Sequence, residues 1–299
     1  CARRERGGGK RRTKKHSFWV VMGLLDELPG PRIELSPKNA PAYEEFLSKL
    51  PEELKFLESD EQQCLRYLSS RKWNVKKALV LAADVQKWRE SYKPLTVVPE
   101  INKLRRTRKA FWAGHDKLGR PCLILAGKNH WPKESVTELD VRLSVYMLEK
   151  SFRKRMPAGV YNFITVFDLR GMTRKNQDLS MLKALARTLQ ANYPERQAYT
   201  FIIGAPWYFR MIWAVVKPWL NKDTRNKIRM LGSNWKDAFA ECFEPDQLPE
   251  EYGGTMKLSF DPVQESDELS SECEDFEFTD ELGDLISAEE GASGSGSTT

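Results

Sequence analysis

The chain has 299 residues, of which 40% are hydrophobic, so it can bury a sizeable core in one large domain or two small ones. Its net charge of +6 is unevenly placed: residues 1–16 carry +7 and residues 261–290 carry −13, which leaves +12 for residues 17–260. A body this basic is attracted to a polyanion, either nucleic acid or an acidic membrane.

The cysteine and histidine patterns argue against metal and disulfide sites. The five cysteines are scattered and form no C-x-x-C pair, which excludes a disulfide scaffold and favours a reducing compartment. The histidines, His16, His115 and His130, have no helical i,i+4 partner, so we expect ordinary surface positions, no metal and no cofactor. Residues 201–220 are very apolar but contain two basic residues and two prolines, which excludes a transmembrane span.

Residues 60–92 read as a pair of helices. Ser59-Asp60-Glu61-Gln62 supplies a capping box at the start of the first helix. The basic turn Ser70-Arg71-Lys72-Trp73-Asn74 separates the two helices. One face of the second helix is apolar at steps of four, three and four residues, and this face comprises Leu81, Val85, Trp88 and Tyr92.

From about residue 110 the pattern alternates between strand and helix. The strands are predicted at Cys122–Leu125, Asn162–Leu169, Tyr199–Ile203 and Ile228–Leu231. A capping box at Ser135 opens one helix, and a second helix follows the second strand. We therefore predict an α/β fold with a mainly parallel sheet under helical cover. The two helices present apolar faces at Val141, Val145, Leu148 and Phe152 and at Leu182, Leu185, Leu189 and Tyr193.

No catalytic motif is evident in the chain. It lacks G-x-S-x-G, Walker A and G-x-G-x-x-G, and Gly7-Gly8-Gly9-Lys10 has neither the strand nor the spacing of a P-loop. Asp168 ends a strand, where α/β enzymes often keep acids, but we interpret it as a cap or turn residue. We expect no catalytic residue and no enzymatic activity.

Residues 205–220 form the most apolar stretch, with almost no polar face. A helix that is apolar all round is normally a buried core helix. The alternative is a lid with one face on an internal lipid and the other on a membrane, and three tryptophans and a tyrosine fit this reading because their rings prefer the interface. Composition alone favours the core helix.

An ordered series of short motifs resembles the CRAL-TRIO lipid-transfer family, specifically its secretory-pathway phosphatidylinositol transfer branch. The resemblance covers about residues 55–256. The matching residues are Leu65-Arg66-Tyr67-Leu68, Arg71-Lys72-Trp73, Val75, Lys77-Ala78, Trp88-Arg89, Asp116, Gly119-Arg120-Pro121, Asp168-Leu169, Gly171, Tyr193-Pro194-Glu195-Arg196, Ala205-Pro206-Trp207, Lys217-Pro218-Trp219-Leu220, Thr224, Lys227, Leu248-Pro249 and Glu251-Tyr252-Gly253-Gly254.

The resemblance implies four segments. Residues 1–39 would be basic and mostly disordered, residues 40–95 a small helical lobe, residues 96–258 the lipid-binding domain and residues 259–299 an acidic disordered tail. A sheet would form the floor of a lipid pocket, and residues 206–220 resemble its mobile gate. The implied pocket and gate residues are Phe163, Thr165, Trp207, Phe209, Met211, Ile212, Trp213 and Val216.

The resemblance also implies a phosphatidylinositol head-group site. A phosphodiester binds a cation, and an inositol ring binds hydroxyl, amine and carboxylate groups. Without the family, Arg71 and Lys72 would read as a solvated turn and Thr224 as a helix N-cap. The implied head-group residues are Arg71, Lys72, Glu195, Thr224 and Lys227.

One departure from the family affects a second ligand. The family's phosphatidylcholine site uses a serine and a threonine two apart on the strand before the conserved Asp, where this chain has Phe163 and Thr165. The lost hydroxyl and the large ring predict poor choline-lipid binding. A sterol, another phospholipid or no second ligand all stay open.

The function we predict is phosphatidylinositol binding and transfer between membranes. The alternative is a sensor that presents lipid for phosphoinositide synthesis or trafficking. A lipid-processing enzyme would need a nucleophile and base that the sequence does not offer, and no DNA- or RNA-binding motif accompanies the charge. We expect a cytoplasmic monomer, peripherally associated with acidic membranes of the Golgi, endosomes or cell surface, with no nucleic-acid partner.

Overall fold

The computed structural model describes residues 29–96, 99–134 and 136–258. The predicted tails therefore lie outside the described residues, apart from residues 29–39. This stretch runs along the folded body, because Arg120 Nη1 donates to the Pro29 carbonyl (2.6 Å) and Asn162 Nδ2 to the Gly30 carbonyl (2.8 Å). The boundaries between the four predicted segments stay predictions.

The first part of the described chain is helical. Asp60 accepts from the Gln63 amide and so caps the helix that begins at Glu61, one residue later than the capping box at Ser59 predicts. The helices share a core that includes Phe46, Leu54, Leu68 and Leu81. They are α1 (Ala40–Ser48), a 3-10 helix (Glu52–Ser59), α2 (Glu61–Ser70) and α3 (Val75–Tyr92).

Strands and helices alternate in the rest of the chain. The strands are β1 (Ala110–His115), β2 (Pro121–Ala126), β3 (Phe163–Asp168), β4 (Gln197–Ile203) and β5 (Ile228–Met230). The α-helices are α4 (Pro99–Arg106), α5 (Thr137–Lys154), α6 (Leu179–Asn192), α7 (Phe209–Val216), α8 (Lys222–Asn226) and α9 (Trp235–Cys242). Short 3-10 turns lie at Gly127–Asn129, Pro132–Glu134, Arg174–Asn176, Lys217–Trp219, Pro245–Gln247 and Glu250–Tyr252.

The five described strands form one sheet in the order β1-β2-β3-β4-β5. Strands β2 to β5 are parallel to one another, and β1 pairs antiparallel with β2. The predicted α/β fold class with a mainly parallel sheet is confirmed. Strand β1 was not predicted from the sequence patterns. The capping box predicted at Ser135 lies outside the described residues. Val136, which has no capping side chain, occupies the N-cap position of α5.

The sheet has two different faces because side chains alternate along each strand. On one face Ile164 and Val166 pack with Phe201 against α9 and the segment that follows it, giving an ordinary hydrophobic core. On the other face Phe163 and Phe167 alternate with them and face the crossover helices α5, α6 and α7. This second face bounds the cavity described below.

A partly buried ion pair joins the helical part to the α/β part. Arg89 of α3 makes two hydrogen bonds to the Glu149 carboxylate of α5, at 2.6 and 2.9 Å. The Tyr193 hydroxyl donates to the same carboxylate at 2.7 Å. Burial alone would raise the pKa of Glu149, but these two partners hold it below its ordinary value.

Candidate functional site

A cavity of about 330 Å³ lies between the second face of the sheet, helices α5 and α6, and residues 206–220. Most of its lining is aliphatic or aromatic, as expected for a pocket that holds an apolar molecule. The predicted apolar face of α6 lines it with Leu182, Leu185, Leu189 and Tyr193. The sheet contributes Leu125, Phe163, Phe167, Thr200 and Ile202, and α5 contributes Leu143 and Leu148.

Residues 206–220, here called the cover segment, close one side of the cavity with α7 and the following 3-10 turn. Their inner face carries Phe209, Ile212, Trp213 and Val216, four of the predicted pocket residues. Their outer face carries Trp207 and Met211, which are 78% and 58% exposed. The core-helix interpretation of this stretch is therefore wrong, because a buried helix would not expose these side chains.

Hydrogen bonds hold the cover segment at both ends. At its start the Tyr208 hydroxyl donates to the Met172 carbonyl at 2.9 Å. At its end Gln190 of α6 donates to the Trp219 carbonyl at 3.0 Å and accepts from the Asn221 amide at 2.8 Å. The segment is thus attached by side chains, and its apolar inner face completes the cavity wall.

Four of the five predicted head-group residues line the cavity: Arg71, Glu195, Thr224 and Lys227. We call them the amino-end cluster, because Lys227 directly precedes β5 and Glu195 lies two residues before β4. Lys227 Nζ forms an ion pair with Glu195 Oε2 at 2.7 Å. Lys72, the fifth residue, is exposed in the turn after α2 and is not part of the lining.

The structure describes the local backbone of two residues of this cluster. Glu195 has a φ of 55°, in the left-handed region that a residue with a side chain rarely adopts. Thr224 is not the N-cap of α8, because the Asn221 side chain takes that role by accepting from the Thr224 amide. The Thr224 side chain is therefore not needed to begin the helix.

A polar network lies beside the amino-end cluster on the cavity floor. Gln197 Nε2 donates to Thr165 Oγ1 (3.2 Å) and to Thr200 Oγ1 (2.5 Å). Thr165 is buried beneath the lining and engaged by Gln197. Phe163 lies in the lining, in contact with Trp112 at 5.9 Å between ring centroids. The ring therefore occupies the space that a serine would leave open.

A second polar group lines the cavity where the sequence predicted none. It comprises Lys109, His130, Asp140 and Asp178, here called the carboxyl-end cluster. His130 is only 7% exposed, so its predicted surface position is wrong. Its Nε2 lies 3.2 Å from Asp178 Oδ2, and Lys109 forms an ion pair with Asp140. The residues that follow His130, Trp131 and Pro132, form no motif with it that could have predicted this cluster.

The two clusters lie at opposite ends of the parallel strands. His130 follows the end of β2, and the Lys109 carbonyl accepts from the last residue of β2, Ala126. The amino-end cluster lies before β4 and β5. A six-residue strand such as β3 separates the two edges by about 20 Å, since each residue rises about 3.3 Å.

Asp168 has a structural role at the end of β3. Its carboxylate accepts from the Arg170 amide at 3.0 Å, from the Arg170 guanidinium and from the Tyr252 hydroxyl at 2.8 Å. Although burial alone would raise it, these hydrogen bonds hold the pKa of Asp168 below its ordinary value. The interpretation of Asp168 as a turn residue agrees with these contacts. Next to this turn, Gly204 has a φ of 63°, and an added Cβ would lie 2.3 Å from Arg170 Cγ.

No helix within the described ranges is long and apolar enough to cross a membrane, and no group of three or more His, Cys, Asp or Glu in them is arranged to hold a metal ion. Burial raises the pKa of the Cys64 thiol to about 12, which keeps it protonated.

Comparison with known proteins places these features in a family. Residues 105–254, half of the chain, match the CRAL/TRIO domain. A CRAL-TRIO domain-containing protein of Saccharomyces cerevisiae is 29% identical over 255 residues, covering 77% of this chain and 82% of the yeast protein. The phosphatidylinositol/phosphatidylcholine transfer protein SFH4 of Arabidopsis thaliana is 30% identical over 210 residues, covering 64% of this chain and 34% of that protein.

Several other curated relatives are longer, and the chain spans only 32% to 44% of their length. Among solved structures, the crystal structure of Sfh5 is similar with a TM-score of 0.60 at 15% identity, covering 76% of this chain and 91% of that one. At that identity the likeness supports the fold and nothing finer.

Proposed function

This chain belongs to the CRAL/TRIO domain family, and from that premise we propose that it binds phosphatidylinositol in the cavity and transfers it between membranes. The predicted resemblance to the family is confirmed by the match over residues 105–254. The lipid assignment rests on one observation, the amino-end cluster in the lining of a mostly apolar cavity. A cation there suits a phosphodiester, and a carboxylate and hydroxyl suit inositol hydroxyls.

The physical reason for a closed cavity is the cost of exposing acyl chains to water. Two tails with roughly 30 methylenes would cost more than about 20 kcal/mol at about 0.8 kcal/mol per methylene. A lipid therefore has to pass directly from a bilayer into the cavity, which requires the cover segment to move aside at the membrane. No covalent step is needed for this process.

The basic body brings the protein to an acidic bilayer. Residues 17–260 carry +12, and each well-placed Lys or Arg contributes about 1 kcal/mol near an anionic surface. We propose peripheral membrane association on this basis, with the outer face of the cover segment toward the lipid. Transfer and presentation to a lipid-modifying partner would use the same cavity.

The test is transfer of labelled phosphatidylinositol between vesicles. Replacing Lys227 by alanine removes a charge-assisted contact, so transfer is expected to fall by about tenfold or more. Lys222→Ala is the matched control, because this lysine is exposed on the short helix that Lys227 follows and lies outside the cavity lining. Full transfer by Lys227→Ala would remove the head-group assignment, and Lys72→Ala would measure what the exposed lysine adds.

A further inference from the structure

A basic surface beside the edge strand β1 has no part in the cavity lining or the cover segment. Helices α4 and α5 pack on each other and on the second face of the sheet at β1 and β2. These helices and the residue that caps the end of α5 carry four exposed cations, none of which forms an ion pair with another residue in the described part of the chain. We call these four the basic edge surface: Lys103, Arg106, Arg153 and Arg155.

Strand β1 joins the two halves of this surface. Arg106 ends α4 four residues before β1 begins at Ala110. At the other end of β1, the His115 ring nitrogen Nε2 lies 3.0 Å from the carbonyl oxygen of Arg155. A six-residue strand spans about 20 Å, and cations of one sign along such a length raise the local positive potential, which attracts a polyanion.

The described part of the chain ends next to this surface. Gln247 lies against the end of β1, because its side-chain oxygen accepts from the His115 amide at 3.1 Å. The carbonyl of the next residue, Leu248, accepts from the Met256 amide at 2.9 Å. The described part ends two residues after Met256, so the chain continues from a point beside β1, on the first face of the sheet. The cover segment closes the cavity on the opposite face.

The segment that follows has the opposite charge. Residues 261–290 carry −13 and contain no lysine or arginine. Seven extended residues, which lead from residue 258 to Glu265, span at most about 25 Å, comparable to the length of β1. The first acids can therefore reach either end of the basic edge surface. A segment tethered so close is present there at an effective concentration in the millimolar range, so even exposed ion pairs, which are weak singly, can hold it.

We propose that residues 261–290 bind to the basic edge surface of the same chain. The carboxylates would pair with its four cations and cover part of the charge that attracts nucleic acid or acidic membranes. This contact does not depend on what the cavity binds.

A second basic surface is the rival location. It lies at the carboxyl ends of β2 and β3 and carries the exposed lysines Lys128, Lys133 and Lys175. Next to it, Arg174 lies over the Trp207 ring of the cover segment at 5.7 Å. An acidic segment bound here would cover Trp207, whereas one on the basic edge surface leaves this ring free to meet a bilayer.

Carbodiimide crosslinking of the full chain locates the segment, because this reagent joins a carboxylate to a lysine amine that touches it. The monomer is isolated and digested with chymotrypsin, and mass spectrometry measures the links from residues 261–290 to each lysine. At low salt, links to Lys103 and Lys154 are expected to exceed those to Lys133 and Lys175 by about fivefold or more. At about 1 M salt, where the Debye length is about 3 Å, these links should fall to background.

Arginine substitutions test the surface without removing the lysines that report on it. The edge variant combines Arg106→Gln, Arg153→Gln and Arg155→Gln, and its links to Lys103 are expected to fall about fivefold or more, because three cations are lost. The control variant has the same net charge and should stay within about twofold of the unmodified chain, since distant exposed charges are screened. It replaces three exposed arginines elsewhere by glutamine: Arg174, Arg187 and Arg210.

Four results would overturn the proposal. Links concentrated on Lys133 and Lys175 would place the segment on the rival surface. The absence of links at low salt would show an unbound segment, and links found only in covalent dimers would show binding to a second copy. An equal loss with the two triple variants would show attraction without a site. If circular dichroism shows that the edge variant does not fold, the distribution of links over the lysines of the unmodified chain decides.

Discussion

At the scale of single residues, Glu149 is a polar group at the junction of the two parts. It accepts two hydrogen bonds from Arg89 and one from Tyr193, each 2.6 to 2.9 Å long. Glu149→Gln would leave Arg89 without its partner. We expect a loss of about 2 kcal/mol in the free energy of unfolding at neutral pH, below the figure for a fully buried pair because Arg89 is partly exposed.

The pH dependence of this loss has a definite sign. Because the folded-state pKa of Glu149 is lowered, its contribution is complete above the ordinary value of 4.5 and disappears as pH falls through the folded-state pKa. Urea unfolding should therefore show a gap between the two proteins that narrows at acid pH. Glu44→Gln, an exposed change on α1, should show no gap, and a pH-independent gap for Glu149→Gln would contradict the argument.

Phe163 gives a second prediction at this scale. Its ring lies in the cavity floor against Trp112 and Phe152, where a serine would open space and add a hydroxyl two residues from Thr165. Phe163→Ser should raise phosphatidylcholine transfer relative to phosphatidylinositol, while lowering stability by about 3 kcal/mol because a buried ring is lost. Efficient phosphatidylcholine transfer by the unmodified protein would show that the ring is no obstacle.

Single residues also show how much of the candidate site could be predicted from the sequence. Glu195, Thr224 and Lys227 could be predicted as site residues because each lies in a short motif that resembles a known family. His130 and Asp140 could not, since one follows β2 and the other lies in the first turn of α5, and only the fold brings them to one cavity wall. Apolar periodicity marks buried apolar faces but carries no information on polar groups that meet across elements.

At the scale of elements, the cover segment is exposed on one side and lines the cavity on the other. Replacing Trp207 and Met211 together by serine should weaken vesicle binding and slow transfer about tenfold or more, because a tryptophan ring prefers a membrane interface and a methionine side chain is apolar. Stability should change little, since both are largely exposed. Phe56→Ser is the control, an exposed aromatic (55%) in the helical part, and an equal effect there would contradict the orientation.

Elements were predicted where local patterns were strong and missed where tertiary contacts decide. Strands β2 to β5 follow apolar runs that the sequence displays. Strand β1 is an edge strand whose register shifts between Trp112 and His115, and its Gly114 lies against Gln247, so its pattern is irregular. The outer face of α7 could not be identified from composition, because a face toward lipid and a face toward a core have the same residues.

At the scale of the whole molecule, charge is the dominant feature. Residues 261–290 carry −13 against +12 for residues 17–260. Deleting residues 261–299 should increase binding to anionic vesicles at low salt, with the difference shrinking as salt rises, because the Debye length falls to about 8–10 Å near physiological ionic strength. Sedimentation with vesicles at several salt concentrations measures this. A difference that persists at high salt would rule out an electrostatic cause.

The two ends of the cover segment are fastened unequally, and this sets an order of events. One hydroxyl hydrogen bond holds the Tyr208 end, whereas Gln190 makes two at the Asn221 end. Each end also has a cation over its rings, Arg174 at the first and Lys183 at the second. We expect the Tyr208 end to detach first, while Gln190 still holds the other end. Water and membrane would then reach the carboxyl ends of the parallel strands first. A departing phospholipid would then leave with its acyl chains first, and its head group would be released last.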